Sequence, residues 1–134
     1  MFASPAFLTL CDKMKSVGLF SRWDPPIRLA RGYADLGYEE FCLLPGGNLF
    51  SLETGKLGNI PSEHEQFFFQ VPSIQEMVNE LDSRGFDLNG LFYQEQRTWK
   101  LVIIDSRTSV QSVFENREIE MVLADALLSL SGGS

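Results

Sequence analysis

Three arginines and two aromatic residues stand within a stretch of twelve residues. They are Arg22, Trp23, Arg28, Arg31 and Tyr33. Guanidinium groups donate paired hydrogen bonds to phosphates and carboxylates, and aromatic faces stack on flat ligands. Segment 22–33 is therefore the candidate binding site of the chain. The structural alternative is that Trp23 packs under the edge of a sheet while the arginines pair with carboxylates further along the chain.

Nucleophilic or metal chemistry would have to use His64, which is the only histidine. Cys11 and Cys42 stand 31 residues apart, and no second histidine completes a zinc site. We interpret both cysteines as reduced thiols of the core, because free cysteine behaves as a small hydrophobe. His64 lies in a polar loop after Pro61, where we interpret it as a solvated side chain. The alternative is that it acts as a general base, with the fold bringing one of the two thiols beside it.

The glycines and the paired carboxylates favour structural roles. Gly46-Gly47 is typical of a hairpin turn, and no phosphate-binding glycine pattern or Gly-x-Ser-x-Gly elbow occurs. Glu39 and Glu40 are adjacent on an expected strand, so their side chains point to opposite faces and cannot form an acid/base pair. The sequence thus predicts no catalytic residue, no metal site and no cofactor.

The composition predicts a single domain. The chain has 134 residues, of which 44% are hydrophobic and 22% charged. These values are typical of one soluble globular domain, which we place over residues 1–130, with residues 131–134 as a flexible tail. No apolar run approaches the roughly 18 residues of a membrane helix, and the first residues lack the positive charge of a signal peptide. We therefore expect a cytoplasmic protein.

The net charge of −7 is unevenly distributed. Residues 1–31 carry five basic and two acidic side chains, whereas residues 32–134 carry six basic and sixteen acidic ones. An acidic body disfavours nucleic acid, whose phosphates require a basic face. It favours a partner protein with a basic surface, because complementary charge steers association. We expect no nucleic-acid partner and no membrane partner.

Helical periodicity and capping residues predict four helices. Ser4 and Pro5 open a helix over residues 5–17, and the stop at Gly18 suits a left-handed residue. A short helix is predicted over residues 27–36. Ser73 and Glu76 form a capping box at the start of a third helix, which ends at Gly85. Asn116 is predicted to cap a last helix with a long apolar stripe.

Alternating and short apolar runs predict the strands. A turn cluster at residues 45–48 separates two runs and indicates a hairpin over residues 40–52. The run at residues 66–71 indicates a strand covered on both sides, or a phenylalanine exposed at a partner surface. Three further strands, over residues 88–94, 98–105 and 109–114, read as an antiparallel meander.

Residues 71–130 resemble a group of known proteins in layout. Val71-Pro72-Ser73-Ile74 opens a helix, Trp99 lies at the centre of a meander, and Phe114-Glu115-Asn116 leads into a helix with Ala126-Leu127-Leu128. This layout resembles small uncharacterised proteins encoded by phages and other mobile elements. Those proteins mostly have no assigned activity, so the resemblance transfers no functional residue to this chain.

These patterns together predict an α+β single domain, with a meander-containing antiparallel sheet and amphipathic helices packed on one face. The predicted function is that of a noncatalytic small acidic interaction module, an accessory or inhibitory protein of a phage or mobile element that acts through protein–protein contacts. One alternative is a binder of a small anion, such as a nucleotide or metabolite, that uses segment 22–33 with His64 as a base. Another is a structural homo-oligomer joined through residues 67–69 or an exposed meander edge.

Overall fold

A computed structural model of the chain describes residues 3–33 and 36–131. The chain divides into two compact units, Met1–Val71 and Pro72–Ser134. The described residues of each unit combine helices with one antiparallel sheet. The predicted α+β class with a meander-containing antiparallel sheet is therefore confirmed.

The first unit is a helix on a five-stranded antiparallel sheet with strand order β4-β3-β2-β1-β5. Its elements are α1 (Pro5–Ser16), β1 (Ile27–Tyr33), β2 (Gly37–Leu43), β3 (Asn48–Ser51), β4 (Leu57–Asn59), a 3₁₀ helix (Ser62–Phe67) and β5 (Phe68–Gln70). Ser4 caps α1 by accepting a hydrogen bond from the Phe7 amide at 3.2 Å, and the predicted hairpin forms from β2 and β3. The two expectations for the start of α1 and for the hairpin are confirmed.

The short helix predicted over residues 27–36 is wrong, because residues 27–33 form β1. This strand pairs with β2 on one side and β5 on the other, so backbone hydrogen bonds from two neighbours fix it in an extended conformation. Buried Ile27 and Leu29 lie on the same face, as the two-residue repeat of a strand requires. Residues 34 and 35 lie outside the described part of the chain.

Both faces of the first sheet are covered. On one face α1 buries Phe7, Leu8, Cys11 and Met14. On the other face a second cluster joins side chains from β1, β2, β3 and β5, with Trp23 and Ile60 packed against it. Phe68 and Phe69 are buried on opposite faces, where Phe68 contacts Phe41 at 5.3 Å between ring centroids and Phe69 contacts Tyr38 at 5.9 Å. The predicted strand is confirmed for residues 68–70, which are covered on both sides. Gln66 and Phe67 instead end the 3₁₀ helix, and Phe67 is 48% exposed.

The second unit is a three-stranded meander with two helices. Its elements are α2 (Ile74–Ser83), β6 (Phe86–Tyr93), β7 (Trp99–Asp105), β8 (Gln111–Asn116) and α3 (Ile119–Ser131). The strand order is β6-β7-β8, as the meander prediction requires. Helices α2 and α3 contact each other and the sheet, and α3 buries Val122, Leu123 and Leu127.

The ends of the helices in this unit test the capping predictions. The capping box is confirmed, since Ser73 Oγ accepts from the Glu76 amide at 3.1 Å and Glu76 Oε1 accepts from the Ser73 amide at 2.8 Å. Asn116 is not the cap of α3 but the last residue of β8. Its Oδ1 accepts from the Glu118 amide at 3.2 Å in the turn that leads to the helix.

The predicted tail falls at the end of this unit. Ser131 is the last residue of α3, and residues 132–134 lie outside the described part of the chain. Among the described helices, none is long and apolar enough to cross a membrane.

Candidate functional site

The strand conformation of β1 separates two of the predicted site arginines. Side chains of a strand alternate between its faces, so Arg28 and Arg31, three residues apart, point to opposite sides of the sheet. Arg28 lies on the face that α1 covers, and Arg31 lies opposite Phe68 on the other face. Within a helix, residues three apart would have shared a face. The fold therefore prevents Arg28 and Arg31 from binding the same small anion.

Arg28 holds a buried carboxylate in place. Its guanidinium forms an ion pair with Glu40, whose side chain is only 3% exposed. The second carboxylate oxygen of Glu40 accepts a hydrogen bond from the Ala3 amide at 2.9 Å. A buried charge requires partners of this kind. Arg28 thereby has a structural role, because it neutralises a carboxylate that ties the start of the chain to β2.

The geometry also bears on the candidates for nucleophilic chemistry. Burial, and secondly the negative charge of Glu40, raise the pKa of the Cys11 thiol to about 12. The thiol stays protonated near neutral pH and is a poor nucleophile. Cys42 is half-buried, and both cysteines are free thiols. His64 lies in the 3₁₀ helix, with its ring centroid 6.0 Å from that of Phe67, and within residues 3–33 and 36–131 no three His, Cys, Asp or Glu side chains form a metal-binding group.

Arg31 is surrounded by aromatic rings. The central carbon of its guanidinium lies 5.1 Å from the ring centroid of Tyr33, 5.2 Å from that of Phe67 and 5.8 Å from that of Phe68. These distances are in the range of cation–π attraction. Phe67 remains 48% exposed. We call the surface formed by Arg31, Tyr33 and Phe67 the Arg31 patch.

Glu39 is the cross-strand neighbour of Arg31 in β2, yet it binds other groups. Its two carboxylate oxygens accept hydrogen bonds from the Tyr33 hydroxyl at 3.0 Å and from Ser51 Oγ at 2.8 Å. Partial burial, followed by this hydrogen bond to Glu39, raises the pKa of Tyr33. In the described part of the chain, no carboxylate oxygen lies within 4.0 Å of an Arg31 nitrogen.

The hydrogen-bonding groups of Arg31 are also unused. Its Nε is buried and has no hydrogen-bond partner among the described residues. The two terminal nitrogens of the guanidinium have no partner among these residues either, but they are not buried. An arginine usually satisfies its five N–H donors with carboxylates, carbonyls or water. The Arg31 patch therefore presents to solvent a guanidinium held by aromatic rings.

The remaining predicted residues lie elsewhere in the first unit. Arg22 is exposed, and Trp23 is half-buried against the second-face cluster. Trp23 also lines a shallow cleft of about 430 Å³ with Lys15, Ser21, Glu65 and Gln66. Of the five predicted residues, the structure thus brings together Arg31 and Tyr33, and it gives Trp23 the packing role of the structural alternative.

Two residues of this site were not assigned to it from the sequence. The sequence offers an exposed phenylalanine among residues 67–69 only as one alternative, and the contact of Phe67 with Arg31 joins segments 36 residues apart. Glu39 was considered only as half of a carboxylate pair. The alternation of β1 and β2 would have placed Glu39 opposite Arg31 if residues 27–33 had been recognised as a strand. Comparisons of this chain with protein-family models, with curated proteins and with solved structures found no match.

Proposed function

We propose that this protein is a noncatalytic interaction module that docks a partner protein through the Arg31 patch. The observation that carries the proposal is an exposed phenylalanine stacked on an arginine that no carboxylate of the described chain neutralises. Arginine and tyrosine are enriched among the residues that dominate binding energy at protein interfaces. An exposed aromatic side chain beside them supplies apolar area that a partner can bury.

The rings that surround Arg31 reduce the entropic cost of binding. A free arginine side chain loses about 2 kcal/mol of rotamer entropy when it is fixed. Tyr33, Phe67 and Phe68 already restrict this side chain, so less freedom remains to be lost at an interface. A preorganised guanidinium with two accessible terminal nitrogens fits a carboxylate or backbone carbonyls of the partner.

The charge of the chain supports the choice of partner. Residues 1–31 carry a net charge of +3 and residues 32–134 a net charge of −10. The acidic surplus favours a partner with a basic surface, because complementary charge steers association. The resemblance of residues 71–130 to proteins of phages and mobile elements supports an accessory or inhibitory role in such an element. Phosphate-rich polymers are disfavoured by the same charge.

Alanine substitutions in the patch test this proposal. Phe67→Ala and Arg31→Ala should each weaken capture of the partner by about 30-fold, the loss typical of a residue that dominates an interface. Leu57→Ala is the matched control, since Leu57 is 62% exposed in the same unit but lies on β4. The measurement is quantitative affinity capture with the three variants and wild type. A partner that binds all four proteins equally would contradict the proposal.

A thermal-shift panel separates this function from binding of a small anion. A ligand that binds only the native state raises the melting temperature. We expect no rise with nucleotides or common anionic metabolites. A rise that Arg31→Ala abolishes would favour the small-anion alternative instead.

A further inference from the structure

The free edge of the meander is a regular strand with a simple pattern of unpaired backbone groups. The Asp105 amide donates to the Val110 carbonyl at 2.9 Å. Because antiparallel pairs alternate, Ser112, Phe114 and Asn116 then bond to β7, whereas the amides and carbonyls of residues 111, 113 and 115 point away from it. No described strand pairs with that side of β8. The edge therefore offers three N–H donors and three C=O acceptors in one row.

The two edges of this sheet differ. On the opposite side, β6 carries a β-bulge between Leu88 and Gly90, which interrupts its register with β7. Bulges are a common means of preventing strand addition at an edge. Strand β8 keeps an unbroken register with β7 from Gln111 to Asn116, and it contains neither proline nor lysine. Only the β6 edge thus shows such a protection.

We propose that a second copy of this chain pairs with β8, so that two meanders join as a continuous six-stranded sheet about a two-fold axis at Val113. An antiparallel pair centred on this residue places Val113 opposite itself and Gln111 opposite Glu115 of the second copy. The backbone amides and carbonyls of all three residues point away from β7. In an antiparallel pair of this kind, each residue donates one backbone hydrogen bond to the residue opposite it and accepts one from it. The junction therefore contains three bonded pairs and satisfies all six groups on each edge.

The side chains of β8 are complementary to themselves in this arrangement. The carboxylate of Glu115 meets the neutral amide of Gln111 rather than another acid, and an amide can donate to a carboxylate. Like charges directly opposite each other would have destabilised the pair. Val113 is 46% exposed in one chain, and the two copies of this side chain cover each other at the axis. This pairing is independent of the Arg31 patch, which lies in the other unit.

The oligomeric state at high concentration tests the inference. Small interfaces bind weakly, with dissociation constants in the micromolar-to-millimolar range. Sedimentation equilibrium should therefore be measured at protein concentrations up to about 500 μM. We expect the mean mass to rise with concentration towards twice the 15.1 kDa of one chain. Added salt should strengthen the association, because two chains of charge −7 repel each other at low ionic strength. A mass of one chain throughout would overturn the inference.

Two substitutions test the position of the axis. Val113→Lys places two ammonium groups opposite each other and should abolish the dimer. Val17→Lys is the matched control, because Val17 is also 46% exposed and lies in the first unit. This substitution changes the charge of the chain by the same amount as Val113→Lys. Val113→Pro removes an amide that β7 does not use, so it should preserve the meander while it abolishes pairing. Dimers that survive both substitutions at Val113, or that Val17→Lys also abolishes, would show that the association uses another surface.

Discussion

The buried carboxylate of Glu40 provides a test of how the first unit is held together. Glu40 accepts from the Arg28 guanidinium and from the Ala3 amide. Glu40→Gln keeps the size of the side chain but removes its charge. The amide oxygen can still accept one hydrogen bond, while the amide nitrogen takes the place of the other acceptor. The variant should therefore lose free energy of unfolding without losing the fold.

The size of the loss follows from the environment of the pair. Removal of one partner from a fully buried ion pair costs about 3–5 kcal/mol. The Glu40 side chain is 3% exposed, but that of Arg28 is 40% exposed, so water can solvate the guanidinium when the carboxylate is gone. A hydrogen bond to a charged group is worth about 1.5–3 kcal/mol. We expect Glu40→Gln to destabilise the protein by about 2–3 kcal/mol, below the fully buried limit.

Glu39→Gln is the matched control for this experiment. Glu39 is the adjacent residue and carries the same charge, but its partners are the neutral hydroxyls of Tyr33 and Ser51. Its substitution should cost only about 1 kcal/mol, because Glu39 has no ion-pair partner among the described residues and water can reach this half-buried side chain. Urea unfolding, with the slope unchanged and the midpoint shifted, measures both values. If Glu39→Gln destabilised the protein as much as Glu40→Gln, the distinction between the charged and the neutral pairing would be refuted.

Two other properties of the structure predict measurable changes. Ser73→Ala removes the cap of α2 and should lower the free energy of unfolding, measured with urea, by about 1 kcal/mol. Ser83→Ala, in the last turn of the same helix, should lower it by less. Equal losses would argue against the capping box. The pKa of Cys11 is about 12 in the native state against an ordinary value of 9.0, so the stability that its protonated thiol contributes is complete below pH 9 and is lost as the pH rises towards 12. Cys11→Ala should therefore show a smaller decline in the free energy of unfolding above pH 9 than wild type, and an identical decline would contradict the raised pKa.

The local signals that the sequence contains were sufficient for most of the elements. Ser73 and Glu76 define a helix start through bonds between near neighbours, and the turn at Gly46-Gly47 defines a hairpin. Such features depend on residues close in the chain, so they can be predicted without knowledge of the fold. The meander followed for the same reason, from alternation within each strand.

Segment 27–33 shows where local reasoning fails. Its composition allowed a helix, in which Arg28 and Arg31, three residues apart, would share a face. Pairing with β2 and β5 decided the matter, because hydrogen bonds to two neighbouring strands outweigh a weak local preference. The error bears on the small-anion alternative, since a strand separates the two arginines that a helix would have brought together.

The sequence by itself determined the charge of this protein, its α+β class, the caps at Ser4 and Ser73 and the turn at Gly46-Gly47, because each of these depends on composition or on residues within a few positions of one another. Only the tertiary structure decided which charges meet. It paired Arg28 with Glu40 across a strand pair, and it stacked Phe67 on Arg31 from a segment 36 residues away. Long-range contacts of this kind depend on strand order and register, which the hydrophobic pattern of one strand does not specify.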